Sequence, residues 1–311
     1  MLRTASLRNG TERLPGAHPA LRSLRWQQHF DRDSATRRRQ KNVRFYQSGL
    51  GRLQSLPTFF QPAASEQSYP MPRFYCDQPI EAGQLLRLPE TITRHVQVLR
   101  LKVGDVVTLF NGLGGEYSGT IAGIDKKQVE VAVKTFSARE AEPPHAITIA
   151  QGLPEGAKMD WIVEKSVELG ATGIQPLMCS RSVIRLDEER AKKKMIHWQG
   201  IMAAAAEQCG RNRLPVLGEP LRFDHWVGQH SMHRRILLSP RANESLQTWA
   251  RHQPGQAITL MIGPEGGWSE DEERLAISHG ALCLGMGERI LRTETAGMAA
   301  LAALQALWAG I

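Results

Sequence analysis

The sequence predicts two folded units, a small β domain followed by a larger α/β domain, and a change of period marks the join. Between about Pro72 and Phe136, short segments of alternating apolar and polar residues are separated by Gly and Asn turns. That is the pattern of an antiparallel sheet or small barrel. Pro143-Pro144 then breaks the chain. Beyond it, apolar runs alternate with helical stretches, which implies parallel βαβ units.

In the first unit, Val106 to Phe110 runs into the turn-rich Asn111-Gly112-Leu113-Gly114-Gly115. Tyr117 to Ile124 and the cleanly alternating Val129 to Val133 follow, joined by Asp125-Lys126-Lys127. In the second unit, strands are predicted at 146–150, 174–178, 236–238, 258–262 and 281–284. A helix over 159–169 puts Met159, Ile162, Val163, Ser166 and Val167 on one face, with Gly170 as its stop. Ser269 and Glu272 form a capping box that opens a helix ending at Gly280. The Ala-rich segment from Ala296 to Ile311, interrupted by Gln305, reads as a buried helix.

Charge is unevenly spread. Residues 1–70 hold twelve of the 39 basic residues and four of the 31 acidic ones, which is the whole excess of +8; the rest is balanced. This arm lacks sustained apolar periodicity and reads as a disordered basic extension. Three accounts of it stand open: a start chosen upstream of a true start at Met71, an Arg-rich transit segment, or a nucleic-acid-binding tail. The chain has no run of 18 apolar residues, so no membrane-spanning helix is expected. Four scattered cysteines without a CxxC pair argue against a disulfide framework and fit a reducing cytosol. His230 and His233 lack a third ligand nearby, so no metal is expected.

Three constellations could carry chemistry. Strand 258–262 runs straight into Gly263-Pro264-Glu265-Gly266-Gly267, where backbone N–H groups can approach a ligand closely. A bare strand-to-helix turn would look the same. Leu284-Gly285-Met286-Gly287 leads into Arg289-Ile290-Leu291-Arg292-Thr293-Glu294-Thr295, a polar run costly to bury without partners. Here Thr293 could instead cap the last helix. Glu207 to Pro215 ends an Ala-rich helix, and its Arg211 and Arg213 suit phosphate and base contacts, or simply answer a helix dipole. Arg73, Arg94 and Arg100 could form a second basic surface.

These same segments resemble the RsmE family of SPOUT-class methyltransferases. Leu260 to Gly267 and Leu284 to Ala296 look like its signature loops; Glu164 to Gly170, Glu207 to Arg211, Met71 to Tyr75 and His95 to Arg100 also match. The resemblance runs in order through 71–311, and the family begins near Met71. It implies a PUA-like β-barrel over 71–142 and a SPOUT domain with a deep trefoil knot over 143–311. It further implies S-adenosylmethionine as cofactor, a cytoplasmic homodimer, and methylation of uridine N3 in 16S rRNA of the small ribosomal subunit. By match of motif, the cofactor residues are Ser239, Pro240, Gly263, Pro264, Glu265, Gly266, Gly267, Leu284, Gly285, Gly287, Ile290, Leu291, Thr293 and Thr295. Arg292 and Arg211 are the candidate cations for an anionic base, Glu294 the candidate proton acceptor, and Arg73, Arg94, Arg100, Arg211 and Arg213 the RNA contacts. Small residues Ala296, Gly297, Ala299, Ala300 and Ala303 would sit at the dimer contact. The rival readings are the same chemistry on another RNA such as tRNA, and a non-catalytic RNA-binding or ribosome-assembly factor.

Overall fold

The computed structural model describes residues 71–308, and the basic arm of residues 1–70 lies outside the described residues. The first unit contains β1 (Arg73–Tyr75), β2 (Leu85–Arg87), α1 (Glu90–Val98), β3 (Val106–Phe110), β4 (Glu116–Ile124) and β5 (Val129–Ser137). They form a five-stranded sheet in the order β1-β3-β4-β5-β2. The sheet is mixed, which corrects the antiparallel expectation: β1 runs parallel to β3. The alternation in β5 points Val129, Val131 and Val133 inward, where they meet Phe74, Leu109, Ile121 and, from α1, Ile92 and Val96.

The second unit holds β6 (Ile147–Gly152), α2 (Lys158–Glu168), β7 (Gly173–Met178), α3 (Glu188–Cys209), β8 (Val216–Leu217), β9 (Leu221–Arg222) and α4 (Phe223–Val227). It continues with β10 (Arg234–Leu238), α5 (Leu246–Arg251), β11 (Ile258–Ile262), α6 (Glu270–Ser278), β12 (Leu282–Leu284) and α7 (Thr293–Trp308). All strand pairs are parallel, in the order β12-β10-β11-β6-β7-β8, with β9 also on β7. Every residue of β11 is buried, as a central parallel strand with both faces covered requires. On one face Ile149, Ile236 and Leu260 pack under α5 and α7; on the other Leu237 and Met261 meet Phe223, Trp268 and Ala276.

The predicted helix features are present. The buried face of α2 is Met159, Ile162, Val163, Ser166 and Val167, Gly170 takes the left-handed conformation at φ +83°, and Ser269 and Glu272 form the capping box. In α7, Gly297 and Ala300 are buried against the chain's own sheet, with a Cβ on Gly297 falling 3.4 Å from Ile262. Those two are therefore not free for a partner, whereas Ala296, Ala299 and Ala303 lie on the half-buried flank.

The end of α3 bolts the two units together. Arg73 donates through Nη1 to Glu116 (2.6 Å) and through Nη2 to Asn212 Oδ1 (2.6 Å). Arg139 grips the same Glu116 at 2.9 and 2.8 Å and also reaches Gly210 O. Arg211 is 3% exposed; it donates to both oxygens of Glu142 and to the carbonyls of Val167 and Ala171. These contacts correct two expectations. Arg211 is buried within the chain, and Arg73 spends its Nη groups on Glu116 and Asn212, so both serve the join between the domains.

Two outcomes are expected. Arg211→Ala strands a half-buried Glu142 carboxylate and two carbonyls, so it should cost roughly 2–4 kcal/mol of stability in a denaturant melt. Glu116 is held down to about 2, chiefly by the hydrogen bonds from Arg139, with burial opposing and Arg73 assisting. A carboxylate depressed in the folded state stabilises above its ordinary range and loses that contribution as pH falls through the folded value. Glu116→Gln should therefore cost roughly 1–3 kcal/mol at neutral pH, and the gap to the parent should close between about pH 4.5 and pH 2.

Candidate active site

Because β12, β10 and β11 are parallel neighbours, their carboxyl ends lie side by side along one edge of the sheet. In open α/β sheets, ligands bind beyond such ends. Three loops leave there. After β10, the buried Ser239 donates its N–H to Leu284 O, and its Oγ accepts from Arg241 N. After β11, the chain turns back on itself, with Gly267 N donating to Pro264 O at 2.8 Å and Gly267 at φ +67°. A Cβ at Gly263 would sit 3.0 Å from the Gly267 backbone, so a side chain there would crowd the turn. After β12, Gly285 is pinned by Glu244 O and Leu246 N, and Gly287 reverses the chain at φ +88°.

The third loop then crosses to β11 and opens α7. Thr293 Oγ1 donates to Gly263 O at 2.5 Å, and the fully buried Gln151 at the end of β6 donates to Thr293 Oγ1 at 2.8 Å and Gly263 O at 3.4 Å. Thr293 is thus the first residue of the helix and ties it to the second loop; it does not act as a side-chain cap.

The loops enclose a cavity of about 550 Å³, within the range that holds a drug-sized ligand. Of the sequence-predicted cofactor residues, Ser239, Pro240, Gly263 to Gly267, Gly287, Ile290, Leu291 and Thr293 line it. Leu284 is buried in the core, Gly285 braces the loop against residues 244–246, and Thr295 is exposed on α7, so these three stand outside the lining. Arg292 and Glu294 line the cavity, and Arg211 does not. Glu294 Oε2 is buried without a hydrogen-bond partner, as is Trp268 Nε1. Both residues belong to the cavity lining, and their orphaned atoms are buried behind its surface.

Sequence reasoning missed Lys158, Arg181, Trp268 and Glu273 in this wall. Lys158 Nζ meets Glu265 Oε1 at 2.5 Å. Burial pushes the Glu265 carboxyl up, but Lys158 and backbone N–H donors outweigh it and hold it below the usual range. Lys158 and Arg181 follow β6 and β7, predicted strands whose order, β6 beside β11 and β7 beside β6, could not be read from sequence. Cys76 and Cys179 are buried, and burial pushes the Cys76 thiol up to about 12, which makes it a poor nucleophile. Among the described residues, no group of three His, Cys, Asp or Glu side chains could hold a metal ion, and no helix is long and apolar enough to cross a membrane.

Comparison with known proteins meets this geometry. Residues 141–305 match the RNA methyltransferase domain family and residues 88–134 the RNA methyltransferase PUA domain family. The ribosomal RNA small subunit methyltransferase E of Bacillus subtilis is 34% identical over 223 residues, covering 69% of this chain and 87% of its own. This chain belongs to the ribosomal RNA small subunit methyltransferase E family. The Neisseria gonorrhoeae enzyme of that name, solved bound to S-adenosyl methionine, is 37% identical with a TM-score of 0.71, over 76% of this chain and 98% of its own. A Legionella pneumophila protein solved with the cofactor SAM is 39% identical with a TM-score of 0.72, over 76% and 97%. Membership makes the first unit the PUA domain and the second the methyltransferase domain.

The tight junction of loops makes one substitution diagnostic. A Cβ on Gly152 would fall 2.6 Å from Pro264 Cδ and 2.7 Å from Pro264 N, against backbone that cannot yield cheaply. Gly152→Ala should therefore cost roughly 1–3 kcal/mol by overpacking. Gly200→Ala in α3, with nothing within 4 Å, should be neutral or raise the melting temperature.

Proposed function

We propose that this protein methylates N3 of a uridine in 16S rRNA of the small ribosomal subunit, with S-adenosylmethionine held in the cavity beyond β10, β11 and β12. The observation that carries this reading is the cavity itself, whose lining brings Arg292 and Glu294 together with the glycine loops. When bound, S-adenosylmethionine supplies a methyl group already activated by its sulfonium. The chain's own residues then have three tasks. The glycine loops hold the cofactor by backbone groups and keep it in line with the base, which is worth much of the barrier. Arg292 favours the anionic form of uracil N3 electrostatically. Glu294 accepts the N3 proton as the methyl is attacked. N3 lies on the pairing edge, so the uridine must be reached unpaired or extruded.

We take residues 71–142 and 143–311 as the two functional units, the second threaded as a deep trefoil knot. The protein acts in the cytoplasm as a homodimer joined along the half-buried flank of α7 that carries Ala296, Ala299 and Ala303. Of the proposed RNA contacts, Arg94 and Arg100 remain exposed on the PUA domain, and Arg213 is half-exposed beside Glu140. Arg100 sits at φ +56°, the one non-glycine in the left-handed region among the described residues. Strain of that kind is found where function fixes a side chain's direction.

Incubation with labelled S-adenosylmethionine and unmodified small subunits, followed by nucleoside mass spectrometry, should yield 3-methyluridine at one site. The same should hold for residues 71–311 alone. Arg292→Ala should lower kcat by about 10²–10³ and Glu294→Gln by about 10²–10⁴, both with unchanged melting temperatures. Normal turnover in Arg292→Ala would remove that residue from the scheme. Label in another RNA would transfer the same chemistry to that RNA.

A further inference from the structure

Exposed cations on the helices are mostly paired: Lys192 with Glu188, Lys193 with Glu189, Arg94 with Glu90 and Arg274 with Asp271. The loop from Cys179 to Asp187, which leaves the carboxyl end of β7, breaks this habit. Its Arg181 and Arg185 bond only to carbonyl oxygens, with no carboxylate partner among the described residues. The loop is nonetheless well anchored. Ser180 N and Oγ both donate to Glu272, at 2.7 and 2.9 Å, and Cys179 and Ser182 exchange hydrogen bonds.

Arg181 lies on the wall of the main cavity. Its Nη1 is fixed by Gly266 O (2.9 Å) and Trp268 O (3.1 Å). That leaves the Nε–Nη2 edge of an exposed guanidinium without protein partners. Arg241 approaches the same Trp268 carbonyl at 3.3 Å, but its charge is answered by Glu273 at 2.8 Å. A preorganised guanidinium with full charge and one free edge is matched to a phosphate, which it can take in bidentate fashion. The body of the chain has no net charge to attract a polyanion from a distance, so such contacts must be local.

We infer that Arg181 is a positioning residue that grips an RNA backbone phosphate next to the target nucleotide, with Arg185 beside it on the same loop. This rests on the proposed activity toward small-subunit RNA and assigns the part of the site that holds the strand while the base enters the cavity. It also explains why Arg181 is braced by the β11 loop: a phosphate clamp must keep a fixed distance from the transferred methyl group.

The test uses the full chain with Arg181→Ala and Arg181→Lys, measuring RNA binding across salt concentrations, S-adenosylmethionine binding and methyl transfer. Arg181→Ala should raise KM for the RNA about tenfold, with the loss on KM rather than kcat, and leave S-adenosylmethionine affinity within twofold. Its plot of log affinity against log salt should be shallower by about 0.7–0.9, the loss of one phosphate contact. Arg181→Lys should restore the slope but only part of the affinity. Unchanged KM and slope in Arg181→Ala would overturn the inference. So would weaker S-adenosylmethionine binding with intact RNA binding, which would make Arg181 a brace for the cofactor loop. If the parent binds small-subunit RNA but does not methylate it, the activity fails as a reading, while the salt slopes still judge Arg181.

Discussion

A fully buried glutamine holds the functional edge together. Gln151 is 0% exposed, and an amide left unpaired there would cost about 1–3 kcal/mol. Its Nε2 finds partners only where the end of β6, Gly263 after β11 and Thr293 at the head of α7 converge. Satisfying its N–H groups ties the ends of two strands to the last helix, while Oε1 stays without a partner. The turn at Gly263, the start of α7 and the placing of Arg292 and Glu294 on one wall follow from it. The functional loops are therefore held by the demands of a core polar group and not by their own conformational preferences.

A second polar cluster does comparable work at the carboxyl end of α3. Helix α3 packs on α2 through Trp198 and Met202, and its terminal Gly210 breaks the helix at φ +82°. The residues that follow turn back as Arg211 and Asn212, both buried. Their partners come from three places: Glu142 in the linker, Arg73 and Arg139 on the β unit, and the carbonyls of Val167 and Ala171 around the end of α2. The PUA domain is thereby locked to the methyltransferase domain by directional bonds, so its exposed surface keeps a set orientation toward the rest of the molecule.

Much of this was legible before any coordinates. The strands announced themselves by period, the face of α2 by its spacing of apolar residues, and the cavity loops by glycines at strand ends. Strand order was not legible, because a run such as Ile174 to Met178 looks alike at any place in a parallel sheet. Lys158 and Arg181 were overlooked for that reason. Arg211 and Arg73 were misread in the opposite sense. An arginine in a polar run looks solvated when its partners lie far off in sequence, and Glu142 is 69 positions from Arg211. The parallel pairing of β1 with β3 was hidden likewise, since alternation marks a strand but carries no sign of direction.

The bonds that close the cavity join residues 112 and 142 positions apart. Loop closure over such distances carries an entropy cost that a local turn does not, so these bonds depend on the rest of the sheet being in place. The cavity therefore has no independent existence as a local motif: it appears with the completed sheet and vanishes with it. Anything that binds there acts on the whole α/β unit by mass action, adding RT ln(1 + [L]/Kd) to its stability. Occupancy of the site and survival of the fold are thus linked equilibria, so ligand affinity can be read from a melting curve as well as from binding.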